Sequence, residues 1–330
     1  MKTKDIVVIG SINMDLVVKA SRFPRPDETM AGETFYTSYG GKGANQAVTA
    51  ARLGAPVSFV GCVGDDRFGE EMTQHLRDEG VNTSCVRQVS NCSSGTALII
   101  VDSVGRNQII VVRGANKELN AEDIRCAQPL IASAELVVIQ LEIPRPTVHC
   151  AVETARKSNV PVILNPAPAP AGPFDPGLLE QVHILVPNEL EAEALTGLDP
   201  QSPDFPEKAL QALRKQGAEK VIITLGDRGA VFSDEDKIQC ATAYTVRAED
   251  TTGAGDAFVG ALAAGYSFFP SFAKLIRFAS AVAAISVTRR GAQSSLPARA
   301  EVQTFLENHE PSLLPDFCAM ETRNIEREKK

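Results

Sequence analysis

No apolar run in this sequence approaches the ~20 residues that a membrane-spanning helix needs, so no membrane partner is expected. Basic residues are outnumbered, 33 Lys and Arg against 41 Asp and Glu, for a net charge of −8. A general nucleic-acid binder would carry clustered Lys and Arg, and no nucleic-acid partner is expected either. An anionic substrate stays open, because a local pocket can be positive on an acidic protein. The seven cysteines are odd in number and scattered, with no CxxC pair and no disulfide framework. They read as reduced, mostly buried thiols. Only Met1-Lys2-Thr3-Lys4 precedes the first strand-like run, which leaves no room for a signal peptide, so a cytoplasmic location is expected. There is no internal repeat.

What is present suits a large core, since 44% of the residues are hydrophobic and 22% charged. Length alone permits one large α/β domain or two smaller ones. Short β-branched runs alternate with helix-like stretches, the pattern of a parallel sheet flanked by helices. Strands are expected at Ile6–Ile9, Val57–Val60, Leu136–Ile139, Val160–Leu164, Ile184–Val186 and Val221–Leu225, where continuous hydrophobicity implies burial on both faces. Helices are expected at 43–53, 67–79, 145–158, 188–196, 206–216, 254–267, 271–288 and 298–308. Residues 12–38 and 94–113 break the alternation with period-two pieces and predict a small antiparallel sheet apart from the main one, placed to act as a lid. We take 1–310 as a single domain with those segments inserted, and 311–330 as a polar, solvated tail.

The chemistry concentrates in Asp250-Thr251-Thr252-Gly253-Ala254-Gly255-Asp256-Ala257-Phe258, after a strand-like Ala243–Val246 region and at the start of an apolar helix. Glycines at a helix start let backbone N–H groups approach an anion, and the helix dipole adds partial positive charge. Such an anion hole suits a phosphate whose charge grows during transfer. Asp256 is placed to accept the proton of an attacking hydroxyl, or simply to cap the helix.

Two further segments carry polar groups at helix starts. Gly40-Gly41-Lys42-Gly43-Ala44-Asn45-Gln46 is not a Walker A loop, because no Ser or Thr follows Lys42 and the spacer is missing. Lys42 and Asn45 would hold something other than a triphosphate, such as sugar hydroxyls, unless the segment is an ordinary strand-to-helix turn. In Pro187-Asn188-Glu189-Leu190-Glu191, the spacing of Asn188 and Glu191 fits a magnesium site that keeps its waters, and equally a capping box.

Together these segments resemble the ribokinase-type carbohydrate kinase family. The N-terminal signature spans Gly40 through Gly64, and the C-terminal one spans Asp250–Phe258. Gly10-Ser11-Ile12-Asn13-Met14-Asp15, Gln140-Leu141-Glu142, Asn165-Pro166-Ala167-Pro168-Ala169, Thr224-Leu225-Gly226-Asp227-Arg228-Gly229 and Val287 to Ser295 also match, over about residues 5–308. The resemblance implies a ribokinase-like three-layer sandwich with a mostly parallel sheet and a small β-lid, through which two copies would pair. It implies transfer of phosphate from ATP to the 5-hydroxyl of ribose. By similarity the sugar sits against Asn13, Asp15, Gly41, Lys42, Gly43, Asn45 and Glu142, with Asp256 as general base and Gly253, Ala254 and Gly255 as the anion hole. ATP would lie along Thr224, Gly226, Asp227 and Gly229, with Asn188, Gly255 and Ser280, while Glu191 acts on magnesium through water. A potassium site is implied at Asp250, Thr252, Ser286, Arg289, Gly291 and Ser295, mostly through backbone carbonyls.

Alternatives within the same family are kinases of 2-deoxyribose, another furanose or a nucleoside; outside it, a non-catalytic sugar sensor. A nucleoside would need aromatic stacking in the lid, where only Phe35, Tyr36 and Tyr39 are available. A sensor would be expected to have lost the base, yet Asp256 and its glycines are intact. Met14 either packs near C2 of the sugar, favouring a deoxy sugar, or fills the apolar underside of the lid.

Overall fold

The computed structural model describes residues 5–172, 174, 177–234 and 237–320. The chain runs through β1 (Ile6–Ile9), β2 (Asn13–Lys19), β3 (Thr34–Gly40), α1 (Lys42–Arg52), β4 (Val57–Gly64), α2 (Arg67–Asp78), β5 (Asn82–Val89), β6 (Gly95–Val101) and β7 (Asn107–Val112). It continues through α3 (Ala121–Cys126), α4 (Gln128–Ser133), β8 (Leu136–Ile139), α5 (Arg145–Lys157), β9 (Val162–Leu164), β10 (Ile184–Leu185), α6 (Glu189–Thr196) and α7 (Phe205–Lys215). Last come β11 (Lys220–Thr224), β12 (Ala230–Asp234), β13 (Lys237–Ala241), α8 (Ala254–Gly265), α9 (Phe272–Ser286) and α10 (Arg299–His309).

Among the described residues nine strands form the main sheet, in the order β13-β12-β11-β10-β9-β8-β1-β4-β5. Pairing is parallel from β11 to β5, and only β12 and β13 run antiparallel. Strand β1 shows why the layers form. Its four residues are all apolar and buried; Ile6 and Val8 enter one core, Val7 and Ile9 the other. The first core is completed by α1, α2, α8, α9 and α10, the second by α3, α4, α5, α6 and α7. Period-two alternation in an all-apolar strand therefore demands helices on both faces, and the result is a three-layer sandwich.

A second sheet, β3-β2-β6-β7, stands apart. It is mixed rather than purely antiparallel, because its two hairpin-like pairs meet through a parallel β2–β6 contact. Strands from two distant chain segments have no turn to force them antiparallel. Asp15, Val17, Tyr36, Ser38, Ile99 and Ile109 share the face that lines a cleft of about 540 Å³. On the opposite face Phe35, Leu98, Ile110 and Val112 are exposed. Met14 also lies on that opposite face, at the end nearest the main body, and is buried in the first core.

Three expectations need correction. Residues 311–320 do not form a solvated tail: a short helical segment there buries Leu313, Phe317 and Met320 in the first core. The charged end Glu326-Arg327-Glu328-Lys329-Lys330 lies outside the described residues. The cysteines are free but not mostly buried, since only Cys62 is, and Cys126, Cys240 and Cys318 are exposed. The Ala243–Val246 stretch has no strand partner; instead Ala243, Tyr244 and Val246 line a pocket. No described helix is long and apolar enough to cross a membrane.

Candidate active site

Parallel strands deliver polar residues to one edge of the main sheet. Ser11 follows β1, Gln140 and Glu142 follow β8, Asn165 follows β9, Asn188 follows β10, and Thr224 ends β11. A crevice outside the carboxyl ends of such strands is where open α/β sheets take ligands. The N-terminus of α8 closes it.

Gly253 precedes α8 in the left-handed region at φ 79°, a conformation that suits glycine. Asp256, the third residue of the helix, makes no cap bond. Its carboxylate accepts instead from α1: Asn45 Nδ2 donates to Oδ2 at 2.8 Å and Gln46 Nε2 to Oδ1 at 3.0 Å. This reach depends on a close helix crossing at Gly260, one turn along. A Cβ there would come within 2.5 Å of Thr49 Cβ and 2.6 Å of the Gln46 carbonyl oxygen. The absent side chain lets α1 approach α8.

The residues expected to hold the sugar gather on one side of Asp256. Glu142 accepts from the Lys42 N–H at 3.1 Å and from the Ser11 hydroxyl, and that hydroxyl in turn accepts from the Gly43 N–H at 3.4 Å. Gly41 is the N-cap of α1. Asn13 is buried, with its Oδ1 accepting from Asn116 Nδ2 at 2.7 Å. Burial, with the Glu142 and Asp256 carboxylates nearby, pushes Asp15 up to about 7. Burial likewise pushes Asp256 upward, against the Lys42 ammonium and the two amide donors. For Lys42, burial pulls its pKa down, but Asp256, Glu142 and Glu191 outweigh that and hold it above the ordinary lysine value. One cation thus sits among the carboxylates that face the crevice.

On the other side, Thr224, Gly226, Asp227, Gly229, Gly255 and Ser280 line a pocket of about 270 Å³. It joins a smaller cavity, lined by Lys42, Asn188, Glu191, Gly253 and Asp256, through the shared Thr224, Thr251 and Gly255. Asn188 and Glu191 do form a capping box, with Asn188 N and Nδ2 donating to the Glu191 carboxylate at 2.9 and 3.0 Å. Glu191 still faces the cavity, its pKa raised by burial against the Asn188 bond and Lys42.

The residues expected around a monovalent cation come from two loops joined by hydrogen bonds. The Glu249 and Asp250 N–H groups donate to the Val287 carbonyl, and Asp250 accepts from the Thr252 and Gly291 N–H groups at 2.9 Å each. The Ser286 and Ser295 hydroxyls are turned to the Ala283 and Ala292 carbonyls. Arg289 does not bring its side chain inward; the guanidinium pairs with Glu301, leaving only its backbone for the site.

Comparison with known proteins decides the family: the profile of pfkB family carbohydrate kinases matches residues 3–299. The chain belongs to that family. It is a sugar kinase. A ribokinase of Haemophilus influenzae is 42% identical over 305 residues, covering 92% of this chain and 99% of that one. A deoxyribokinase of Salmonella typhi is 38% identical over 306 residues, 93% and 100% of the two chains. The structure of Arabidopsis thaliana ribokinase complexed with ribose and ATP superimposes with a TM-score of 0.85 at 34% identity, covering 92% and 99%.

Several residues of this kinase's site were not singled out in the sequence. Ser11, Gln140 and Asn165 lie within matching segments but took no role there, and Gln46 was quoted only as the end of a turn. A signal existed. Each of the first three is a polar residue just past a wholly apolar, parallel strand, the place where a side chain reaches the crevice.

Proposed function

We propose that this kinase transfers the γ-phosphoryl group of ATP to the 5-hydroxyl of ribose, giving ribose 5-phosphate and ADP. The observation that carries the reading is the placement of Asp256. Its two oxygens accept from amides on the sugar side, while its helix start opens on the nucleotide pocket. The 42% identical ribokinase and the neighbour complexed with ribose and ATP support the same substrates.

In this reading Asn13, Asp15, Gly41, Lys42, Gly43, Asn45 and Glu142 hold the sugar. Buried carboxylates suit a polyol because they accept from hydroxyl donors. Asn45 Oδ1 is buried and has no partner among the described residues. Asp256 takes the proton of the 5-hydroxyl as it attacks, and the chain at Gly253, Ala254 and Gly255 stabilises the charge on the transferred group. ATP occupies the pocket of Thr224, Gly226, Asp227, Gly229 and Ser280, with Asn188 toward the phosphates.

Magnesium brought in with ATP supplies charge neutralisation at the phosphates. Glu191 fits it through water, since both its oxygens already accept from Asn188 and direct ligation would cost that cap. Potassium would be held mostly by backbone carbonyls of the loops of Asp250, Thr252, Ser286, Arg289, Gly291 and Ser295; it would fix the anion hole's geometry. The exposed Phe35, Leu98, Ile110 and Val112 of the small sheet fit pairing with a second copy.

The second reading, a deoxyribose kinase, draws on the 38% identical deoxyribokinase. Against it, Met14 points away from the face that carries Asn13 and Asp15. A coupled ADP-release assay over pentoses, hexoses and nucleosides tests both. Ribose is expected to give the highest kcat/KM, with deoxyribose slower. A nucleoside preference, or ADP release indifferent to sugar, would contradict the proposal.

A further inference from the structure

Behind Asp256 three amide side chains run back to the main sheet. Asn165 Nδ2 donates to the Val186 carbonyl at 2.8 Å. A backbone carbonyl only accepts, so this bond decides which end of the Asn165 amide is which. Asn165 Oδ1 then accepts from Gln46 Nε2 at 3.1 Å, and the same Nε2 donates to Asp256 Oδ1 at 3.0 Å. The far end of Gln46, Oε1, accepts from Gln140 Nε2 at 2.6 Å. Gln46 and Gln140 are 1% and 0% exposed, so solvent does not scramble these roles. Gln140 Oε1 is left without a partner among the described residues. Turning that amide over would set Oε1 against Gln46 Oε1, oxygen on oxygen, which is worse than one unpaired acceptor.

We propose that Gln46, oriented by Asn165 and Gln140, is a positioning residue that fixes Asp256 Oδ1 as a hydrogen-bond acceptor and leaves the carboxylate's remaining lone pairs to the sugar hydroxyl. The proposal rests on the reading of Asp256 as general base and adds the device that keeps it one. With an amide N–H donating to each oxygen, the ionised carboxylate is favoured over the acid, and the lone pairs left over can still take the hydroxyl's proton. Around it Lys42 favours the charged form, while Glu142, Asp15 and Glu191 oppose it. Among so many carboxylates, a cradle of N–H donors keeps the base ionised and able to take a proton.

The test is the pH profile of kcat, at saturating ribose and ATP, for Gln46→Leu, Asn165→Leu and Asp256→Asn. Loss of one hydrogen bond to a charged group is worth roughly 10- to 100-fold, so Gln46→Leu should lose about that much kcat near neutrality. Both KM values should change little. Removing a bond that favours the ionised form raises the pKa, so the acid limb should move up by about one pH unit. Asn165→Leu frees Gln46 to invert and should move the limb the same way, less far; it carries the test if Gln46→Leu does not fold. A lowered kcat with an unmoved acid limb in both variants would make Gln46 a packing residue and overturn the proposal. Asp256→Asn separates the two layers. If it is inactive while the limb stays put in the other variants, only the positioning role fails. If it stays active, the base assignment fails as well.

Discussion

Two regions meet at Asp256, and they are built from different materials. On the side assigned to the sugar, polar side chains are cross-linked: Glu142 accepts from the Ser11 hydroxyl and the Lys42 backbone N–H, and Asp256 accepts from Asn45 and Gln46. On the side assigned to the nucleotide, glycines and alanines such as Gly226, Gly229, Gly255, Ala243, Ala283 and Ala284 line the pocket together with Tyr244, Val246, Phe258 and Val287 and a few polar residues. The first region is tightly cross-linked and charged. The second is largely apolar. In the proposed reading such a site would fix the acceptor by specific hydrogen bonds and the donor mainly by shape.

The largest break in that contrast should come at the junction. Asp256→Asn keeps the volume and the helix but removes the proposed base, and a general base typically contributes ~10²–10⁴-fold to kcat. Nucleotide binding, measured by calorimetry, should survive. Retention of a tenth or more of the activity would reduce Asp256 to a structural residue.

Next comes the pair Gly260→Ala and Gly255→Ala. A methyl at 260 meets the Gln46 carbonyl oxygen, which cannot rotate away. Overpacking of about 1–3 kcal/mol then outweighs a helix-propensity gain of at most ~1 kcal/mol. Displacing α1 shifts Asn45 and Gln46, so kcat should fall on the order of tenfold or more along with Tm. A methyl at 255 meets nothing within 4 Å. That variant should melt at or slightly above the wild type, with the helix-propensity gain unopposed, and show its defect in KM for ATP. Equal melting of the two would show that the crossing is not tight.

A smaller effect is expected from salt. Rates in potassium should exceed those in sodium or a bulky organic cation at matched ionic strength, because the Asp250 and Gly291 loops border the anion hole. Equal rates in all three would remove the cation from the account.

The smallest effect, on selectivity, is expected at Met14→Ala. Truncating a core methionine costs about 2–5 kcal/mol of stability. The ratio of kcat/KM for ribose over deoxyribose should not change, since Met14 is buried on the face turned from Asn13 and Asp15. A changed ratio would mean that the core beneath the sheet sets sugar preference.

The same contrast explains what was legible beforehand. Central strands read well because Leu136–Ile139 or Ile6–Ile9 are apolar throughout, and burial on both faces leaves no other arrangement. Edge strands did not: Asn82–Val89 and Lys237–Ala241 are half exposed, and their polar residues hide the pattern. The 311–320 segment was missed although Leu313, Phe317 and Met320 fall at i, i+4 and i+7, one face of a helix; Pro311, Pro315 and the charged end of the chain made the stretch read as a tail. At the site, glycine clusters flagged Gly253–Gly255 and Gly41–Gly43, whereas Gln46 carried no mark. Its role arises only when Asn165, more than a hundred residues away, arrives beside it. Backbone donors and long-range amide relays belong to the fold rather than to any local motif.

In the proposed function this arrangement moves a phosphoryl group onto the primary hydroxyl of ribose. The most direct measurement is phosphorus NMR of the reaction of ribose with ATP. The account predicts one new phosphomonoester, split as a triplet by the two protons of a CH₂–O–P linkage, appearing in step with ADP. A doublet from a phosphate on a secondary carbon, or ADP without any new ester, would contradict it.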